Sequence, residues 1–417
     1  MRTKILFIIP TLDRCGAEKQ LTLLATNLPR DEFEVKVVVL TRDGSYSEEL
    51  RAAGIPVVVI GKKRKLSFGA YFKLKREIKR FKPDIVHTWI FAANAYGRKA
   101  AFACRVPVVI CGERCLDPWK APWQNWIDAK LEPKTDVYAV NSQGIVDFYV
   151  ERGIPKEKFA VIYNAVEVPP TPTESKEELK KRLFDELGVD YSSPENVASE
   201  KDRFFRSLHI TNEENVGGAS SLPKLIGLVA RLWPQKRVKD ALWIADQVKF
   251  AGVNFYLLII GDGPERESLL RYREDLRLKN RVLFLGERND VARFTPCFDL
   301  LWNCSAYEGQ SNAILEAQSY GVPVLASDVA GNRDLVISGQ TGVLVPEFEG
   351  DRTRRRTAFA RETCKLLAEK NKDELVRLGN EARKRTREVF SLEAMVAQYA
   401  ALYKRTLEKK RRSVKAR

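Results

Sequence analysis

Twice along this chain, short uninterrupted runs of Val, Ile and Leu alternate with segments of helical periodicity, and few folds accept that arrangement. In the first 165 residues the runs are Ile5–Ile9, Val35–Leu40, Val57–Ile60, Ile85–His87, Val106–Cys111, Val137–Asn141 and Ala160–Tyr163. Helical patterns such as Ala17–Leu28, Tyr71–Phe81 and Ala92–Cys104 lie between them. A strand that is apolar at every position is buried on both faces, the state of a strand in a parallel sheet covered by its crossover helices. A second series starts at Leu225–Val229 and continues with Phe255–Ile260, Val282–Leu285, Leu300–Asn303, Val322–Ala326 and Gly342–Val345. The pattern predicts an α/β chain with two Rossmann-like, doubly wound parallel-sheet domains. A length of 417 residues also favours two cores over one.

The expected boundaries are an N-terminal domain over 1–168, a linker with a polar insertion over 169–222, a C-terminal domain over 223–390, and a helix with a basic tail over 391–417. Pro169–Pro223 contains PPTPTES, SSPENVASEKD and TNEENVGGASS, polar and turn-rich stretches, with a short amphipathic helix expected over Lys176–Leu187. Ser391–Leu407 reads as a long helix, and KKRRSVKAR after it as a tail that frays.

No apolar run approaches the roughly 20 residues of a membrane-crossing helix. The opening MRTKILFIIP stops being apolar at Pro10, short of the roughly 7–15 residues of an export-signal core, so it reads as a first buried strand of a cytoplasmic protein. Seven cysteines, an odd number, give no disulfide framework. Cys111 and Cys115 form the closest pair, but with only two histidines in the chain no second pair of ligands completes a zinc site. Neither a metal nor a cofactor is expected. The net charge of +16 predicts attraction to polyanions: an anionic membrane, nucleic acid or phosphorylated substrates. No nucleic-acid-binding motif is present, so nucleic acid is not an expected partner.

The richest stretch is SAYEGQSNAILEAQSYGVPVLASD, which follows the strand Leu300–Asn303 and enters a helix near Ser311 or Asn312. Free N–H groups at such a start, around Gly309, Gln310, Ser311 and Asn312, make an anion site, and Gly309 lets a ligand approach the backbone. Asn312 and Glu316, four apart, share a helix face, while Glu308 sits just before the helix. A carboxylate beside a phosphate is repelled by it, so Glu308 and Glu316 suit a neutral neighbour, such as sugar or ribose hydroxyls. They equally suit a plain dipole-complementing role.

In LVARLWPQKR, Arg231 and Lys236 fall just past the strand Leu225–Val229, where open parallel sheets bind ligands, and two cations there suit a diphosphate. A solvated basic loop is the plainer alternative. IIGDGPER, with Gly261, is a glycine-rich turn without the G-x-G-x-x-G spacing of a dinucleotide site.

ARLWPQK, GDGPER and the Glu308/Glu316 pair occur in the order and spacing of the family 4 retaining glycosyltransferases, and the chain resembles that family. FDLLWNCSAYEG, SLEAMVAQYAALYKRTL, CGAEKQL and VIYNAVEV add to the likeness, which covers the chain apart from about residues 170–222. The resemblance implies the GT-B fold, with two domains facing a central cleft and a C-terminal helix crossing back to the N-terminal domain. It implies that Arg231 and Lys236 neutralise the donor diphosphate, that Glu308 contacts the transferred sugar and Glu316 the ribose. The backbone at Gly309–Asn312 would hold phosphate, and Gly16 the opposite side of the cleft. No Asp-x-Asp pair is present, in keeping with Arg and Lys standing in for a metal.

There are departures. Cys15 precedes Gly16 where the family has two glycines, and the join reads Asn164-Ala165 rather than Asn-Gly. His87 in DIVHTW is the one candidate for the family's sugar-facing histidine, because Trp89, Ala92 and Ala93 occupy places where relatives carry another. Retention of configuration comes from the resemblance alone.

The implied reaction moves a hexosyl-type sugar from a nucleoside-diphosphate sugar, UDP ahead of GDP, to a glycan or lipid-linked acceptor of the cell envelope or an exopolysaccharide. GKKRKLSFGAYFKLKREIKRFK packs ten basic residues between Lys62 and Lys82 with aromatics among them, and DPWKAPWQNW holds Trp119, Trp123 and Trp126. Both suit the surface of an anionic bilayer. A nucleotide-sugar epimerase or hydrolase on the same fold, or a non-catalytic polyanion-binding protein, are the alternatives, since function lives in the site rather than the fold.

Overall fold

The computed structural model describes residues 2–64, 66–116, 120–170, 173–189 and 222–415. It forms two compact units, Met1–Ala165 with Phe390–Arg417, and Val166–Val389. Expectations that fall on Lys65, Trp119 and the insertion over 190–221 lie outside the described residues.

The first unit is built on seven parallel strands: β1 (Thr3–Ile9), β2 (Phe33–Val39), β3 (Val57–Val59), β4 (Ile85–Trp89), β5 (Val108–Glu113), β6 (Val137–Val140) and β7 (Phe159–Val161), in the order β3-β2-β1-β4-β5-β6-β7. The second has six: β8 (Lys224–Val229), β9 (Phe255–Ile260), β10 (Val282–Gly286), β11 (Leu300–Asn303), β12 (Val324–Ser327) and β13 (Val343–Val345), ordered β10-β9-β8-β11-β12-β13. Ile5 through Ile9 have no exposed surface, which is why their run is apolar at every position. In each sheet the order reverses beside the first strand, between β1 and β4 and between β8 and β11. Loops leaving the carboxyl ends of those neighbours diverge to opposite faces, and the crevice between them is where open α/β sheets bind ligands.

The helix Leu392–Lys415 belongs to the first unit and closes its core, with Tyr399 and Tyr403 completely buried. The basic end does not fray as the sequence suggested. It stays helical to Lys415, because Lys410 Nζ donates to Asp136 Oδ1 at 2.7 Å and cations suit the negative end of the helix dipole. The helix Lys176–Glu186 starts at a capping box between Ser175 and Glu178 and packs into the second unit. There Lys180 Nζ meets Asp299 Oδ2 at 2.7 Å, and the buried Phe184 ring lies 5.5 Å from Tyr256.

Beneath the helix Pro122–Leu131 lies a buried group of charges. Arg98 donates to Asp128 at 2.5 Å, Lys120 donates to Asp128 at 3.0 Å and to Tyr149 at 2.7 Å, and Asn94 donates to Glu113 at 3.0 Å. Two cations and two carboxylates, each pairing with the other, avoid the cost of a lone buried charge and fix this helix to the sheet.

Candidate active site

The loop after β8 and the loop after β11 meet at the switch point of the second sheet. Ala306 N donates to Gln235 O at 2.8 Å and Gln235 Nε2 to Tyr307 O at 2.7 Å, so the two loops are tied through backbone. That tie brings Lys236 Nζ to 2.5 Å from Glu308 Oε1, which also accepts from Ser305 Oγ at 2.7 Å. Glu308 is 5% exposed, a carboxylate that burial would penalise without this cation. Ser311 precedes the helix Asn312–Ser319 and its side chain makes no capping hydrogen bond, and the start of a helix is suited to an anion. Glu308, Gln310 and Ser311 are buried, while Asn312 and Glu316 are half-buried on one face of that helix.

Gly261 is where the turn after β9 passes the β8 loop. Its φ is +138°, and a Cβ there would sit 2.0 Å from Ala230 O. Asp262 O accepts from Leu232 N at 2.9 Å, which holds the start of the Arg231–Lys236 loop. Arg231 is exposed, its guanidinium 5.7 Å from the Trp233 ring. Lys236 and Glu308 are thus brought together, and Arg231 stands out toward solvent on the same loop.

Several contributors carried no sequence signal. Asn303 donates to Ser311 Oγ at 3.1 Å and accepts from Asn332 at 3.2 Å, bracketing the loop that carries Glu308. Gly331 packs so tightly there that a Cβ would lie 2.1 Å from Gly309 O. Asparagine and glycine are common in turns, so only the contact shows their purpose.

Gly16 and His87 lie in the first unit. Gly16 opens the helix Gly16–Asn27, with Cys15 before it in extended conformation. His87 has no exposed surface: Nδ1 shares a 2.9 Å hydrogen bond with Tyr403 Oη, and the ring lies among Phe7, Trp89, Tyr399 and Tyr403. The C-terminal helix thus covers the ring the sequence offered for contact with a sugar. The strand register alone left that side open. At the end of the same strand Ile90 holds φ +69°, a conformation a β-branched residue rarely adopts and one that tends to gather at functional edges.

Burial and the nearby Arg114 guanidinium push the His87 pKa well below its usual 6.5, so the ring stays neutral in the fold. The unfolded chain takes up a proton that the folded one refuses. His87 therefore adds stability above about pH 6.5 that is lost on acidification below it, at up to about 1.4 kcal/mol per pH unit. His87→Gln should flatten that slope in denaturant titrations between pH 7 and 5; an unchanged slope would contradict the assignment.

The sequence of the family described as Glycosyltransferase Family 4 matches residues 15–168, and that described as Glycosyl transferases group 1 matches residues 223–369. The chain belongs to family 4 of the glycosyltransferases. This glycosyltransferase is 31% identical over 203 residues to the N-acetyl-alpha-D-glucosaminyl L-malate synthase of Bacillus anthracis, a match spanning 48% of this chain and only 51% of that enzyme. It is 26% identical over 338 residues to the UDP-Gal:alpha-D-GlcNAc-diphosphoundecaprenol alpha-1,3-galactosyltransferase of Escherichia coli, covering 76% of this chain and 77% of that one. Among solved structures, Anabaena HepE in complex with UDP and glucose superposes with a TM-score of 0.78 at 21% identity, over 96% of this chain and 99% of that one. The likeness establishes the GT-B fold for this glycosyltransferase.

Proposed function

We propose that this glycosyltransferase moves a hexosyl residue from a UDP-sugar to a glycan or lipid-linked glycan acceptor in cell-envelope or exopolysaccharide synthesis, with retention and without a metal. The observation that carries the reading is the Lys236–Glu308 pair at the switch point, beside the start of the helix Asn312–Ser319. One of the three N–H donors of Lys236 engages Glu308, and the others suit phosphate oxygens. Arg231, Lys236 and the N–H groups at Gly309–Asn312 would hold the diphosphate, with the turn at Gly261 supporting the loop. Glu308 would accept from a sugar hydroxyl and Glu316 from the ribose. Gly16 would approach the donor from the first unit.

In the proposed step the acceptor oxygen attacks the anomeric carbon from the face the phosphate leaves. The anomeric carbon–oxygen bond breaks, the acceptor proton passes to the departing phosphate, and fixed positive charge stabilises that leaving group. A UDP-linked donor and a diphospho-lipid acceptor appear in the description of the Escherichia coli relative, and UDP in that of HepE, which supports the choice of nucleotide and acceptor class. His87 keeps a place in this scheme only if Tyr403 withdraws, so the chemistry is assigned to the second unit's groups.

A thermal-shift screen of UDP, GDP and ADP in EDTA tests the reading. A ligand of the native state at 100 times its Kd adds about 2.7 kcal/mol of stability. UDP should raise the melting temperature of the wild type without metal and fail to do so with Glu316→Ala. No response to any nucleotide would overturn the proposal, and donor consumption independent of acceptor would favour a hydrolase or epimerase.

A second reading concerns where the acceptor is met. Among the described residues no helix is long and apolar enough to cross a membrane. Yet Phe68 is 82% exposed and Trp126 is 62% exposed, with Leu66, Phe72 and Trp123 also open to solvent. Phe68 and Phe72 begin one helix of the first unit and Trp123 and Trp126 another, with the helix Ile90–Ala103 packed between these two. Helices crossing from parallel strands start at one edge of the sheet, so this apolar rim and the basic face of Phe68–Phe81 suit an anionic bilayer. Vesicles with anionic lipid should carry the wild type in flotation, and Phe68→Ser with Trp126→Ser should stay behind; equal flotation of both would defeat the membrane reading.

A further inference from the structure

A cavity of about 500 Å³ opens in the second unit where the loops after β8, β9 and β13 meet. Four cations line it, Arg237, Lys239, Arg352 and Arg355, against two carboxylates, Asp240 and Glu265. The excess is built rather than accidental. Asp240, 4% exposed in its side chain, accepts from Arg352 Nε at 2.6 Å and Arg355 Nη2 at 2.7 Å, with Arg356 at 4.0 Å. Glu347 accepts from Arg237 Nη1 at 2.8 Å and Arg355 Nη1 at 3.3 Å. Four guanidiniums therefore share two carboxylates, which fix their planes while leaving net positive charge at a concave surface.

The same crowding runs against the local backbone. The helix Arg352–Leu367 begins with Arg352, Arg354, Arg355 and Arg356; its N-cap Asp351 accepts from Arg354 N at 2.8 Å, the first turn adds no further acid, and one carboxylate thus stands against four cations. A helix start is the positive end of its dipole, so cations there repel it, and an external anion would relieve both terms. Guanidinium forks match phosphate oxygens in geometry as well as charge. A wall this polar offers little to an apolar ligand.

We propose that this cavity is a second anion site, separate from the donor diphosphate site, that binds a phosphate mono- or diester. The inference does not depend on the donor assignment. Arg237 directly follows the short turn Pro234–Lys236, and its own φ is +50°, so an occupant held by Arg237 bears on the turn that presents Lys236. Two sources share the chemistry, a small free phosphate and a phosphodiester chain of an acceptor.

The test is thermal unfolding of the full chain in inorganic phosphate, and separately in a glycerol-phosphate oligomer, against chloride at equal ionic strength. Saturable stabilisation is expected with at least one probe, kept in Lys236→Ala. The apparent Kd should rise about tenfold in Arg237→Gln/Arg352→Gln, through loss of charge-assisted hydrogen bonds. Arg352 is 53% exposed in its side chain and Asp240 keeps Arg355, so the fold tolerates the change. A response to phosphate alone identifies a free phosphate, and a stronger one to the oligomer a chain. Stabilisation by neither probe, or stabilisation lost in Lys236→Ala, overturns the proposal. Crystals soaked in tungstate give an independent reading: an anomalous peak between Arg237, Arg352 and Arg355 supports it, and a peak beside Lys236 alone refutes it.

Discussion

Lys236→Ala should lower turnover of a UDP-sugar by about 10²–10³-fold, the usual loss when one preorganised charge facing a departing oxyanion is removed. The variant should also be less stable by about 3 kcal/mol, because the Glu308 carboxylate, 5% exposed, loses the cation 2.5 Å away. The two effects separate in a double variant. Lys236→Met with Glu308→Gln removes both charges, so most of the stability should return, measured by urea unfolding, while turnover stays low. Wild-type turnover in a folded Lys236→Ala would mean that this lysine serves packing alone.

Gly261→Ala carries the largest expected structural effect. The added Cβ meets Ala230 O at 2.0 Å, and φ at +138° is strained for any side chain. Overpacking costs about 1–3 kcal/mol and the dihedral about as much again, so a loss of roughly 2–6 kcal/mol is expected. Since Ala230 adjoins Arg231, the displaced loop should also weaken nucleotide binding. Gly153→Ala provides the control: φ is +89°, but nothing lies within 4 Å of the new atom. It should show the dihedral cost alone and no change in nucleotide binding. Equal losses from the two substitutions would mean that the close approach to Ala230 carries no energy.

The strands were legible because burial on both faces leaves an unbroken apolar run, and thirteen of them stand where such runs occur. Their ends shifted by a residue or two. β4 continues through Trp89 because the tryptophan is itself buried, and β5 begins at Val108 rather than Val106. Placement was legible where a motif stays local: Lys236 and Glu308 meet, and a helix starts at Asn312. It was hidden where partners are distant. Tyr403 lies 316 residues from His87, and nothing near His87 announces the covering helix. The Arg98–Asp128 pair, the Asn303–Asn332 contact and the cluster on Asp240 likewise join segments whose individual residues look like ordinary surface polarity.

The C-terminal helix carries one more consequence. Its residues are translated after every strand of both sheets, yet Tyr399 and Tyr403 seal a sheet whose strands are all made within the first 165 residues. On the ribosome the earlier half must wait with an apolar face uncovered while Val166–Val389, contiguous in sequence, can condense ahead of it. Order of completion would then run opposite to order of synthesis. A chain ended just after Val389 would carry a finished second unit joined to an unsealed first one, a species that quality control should remove.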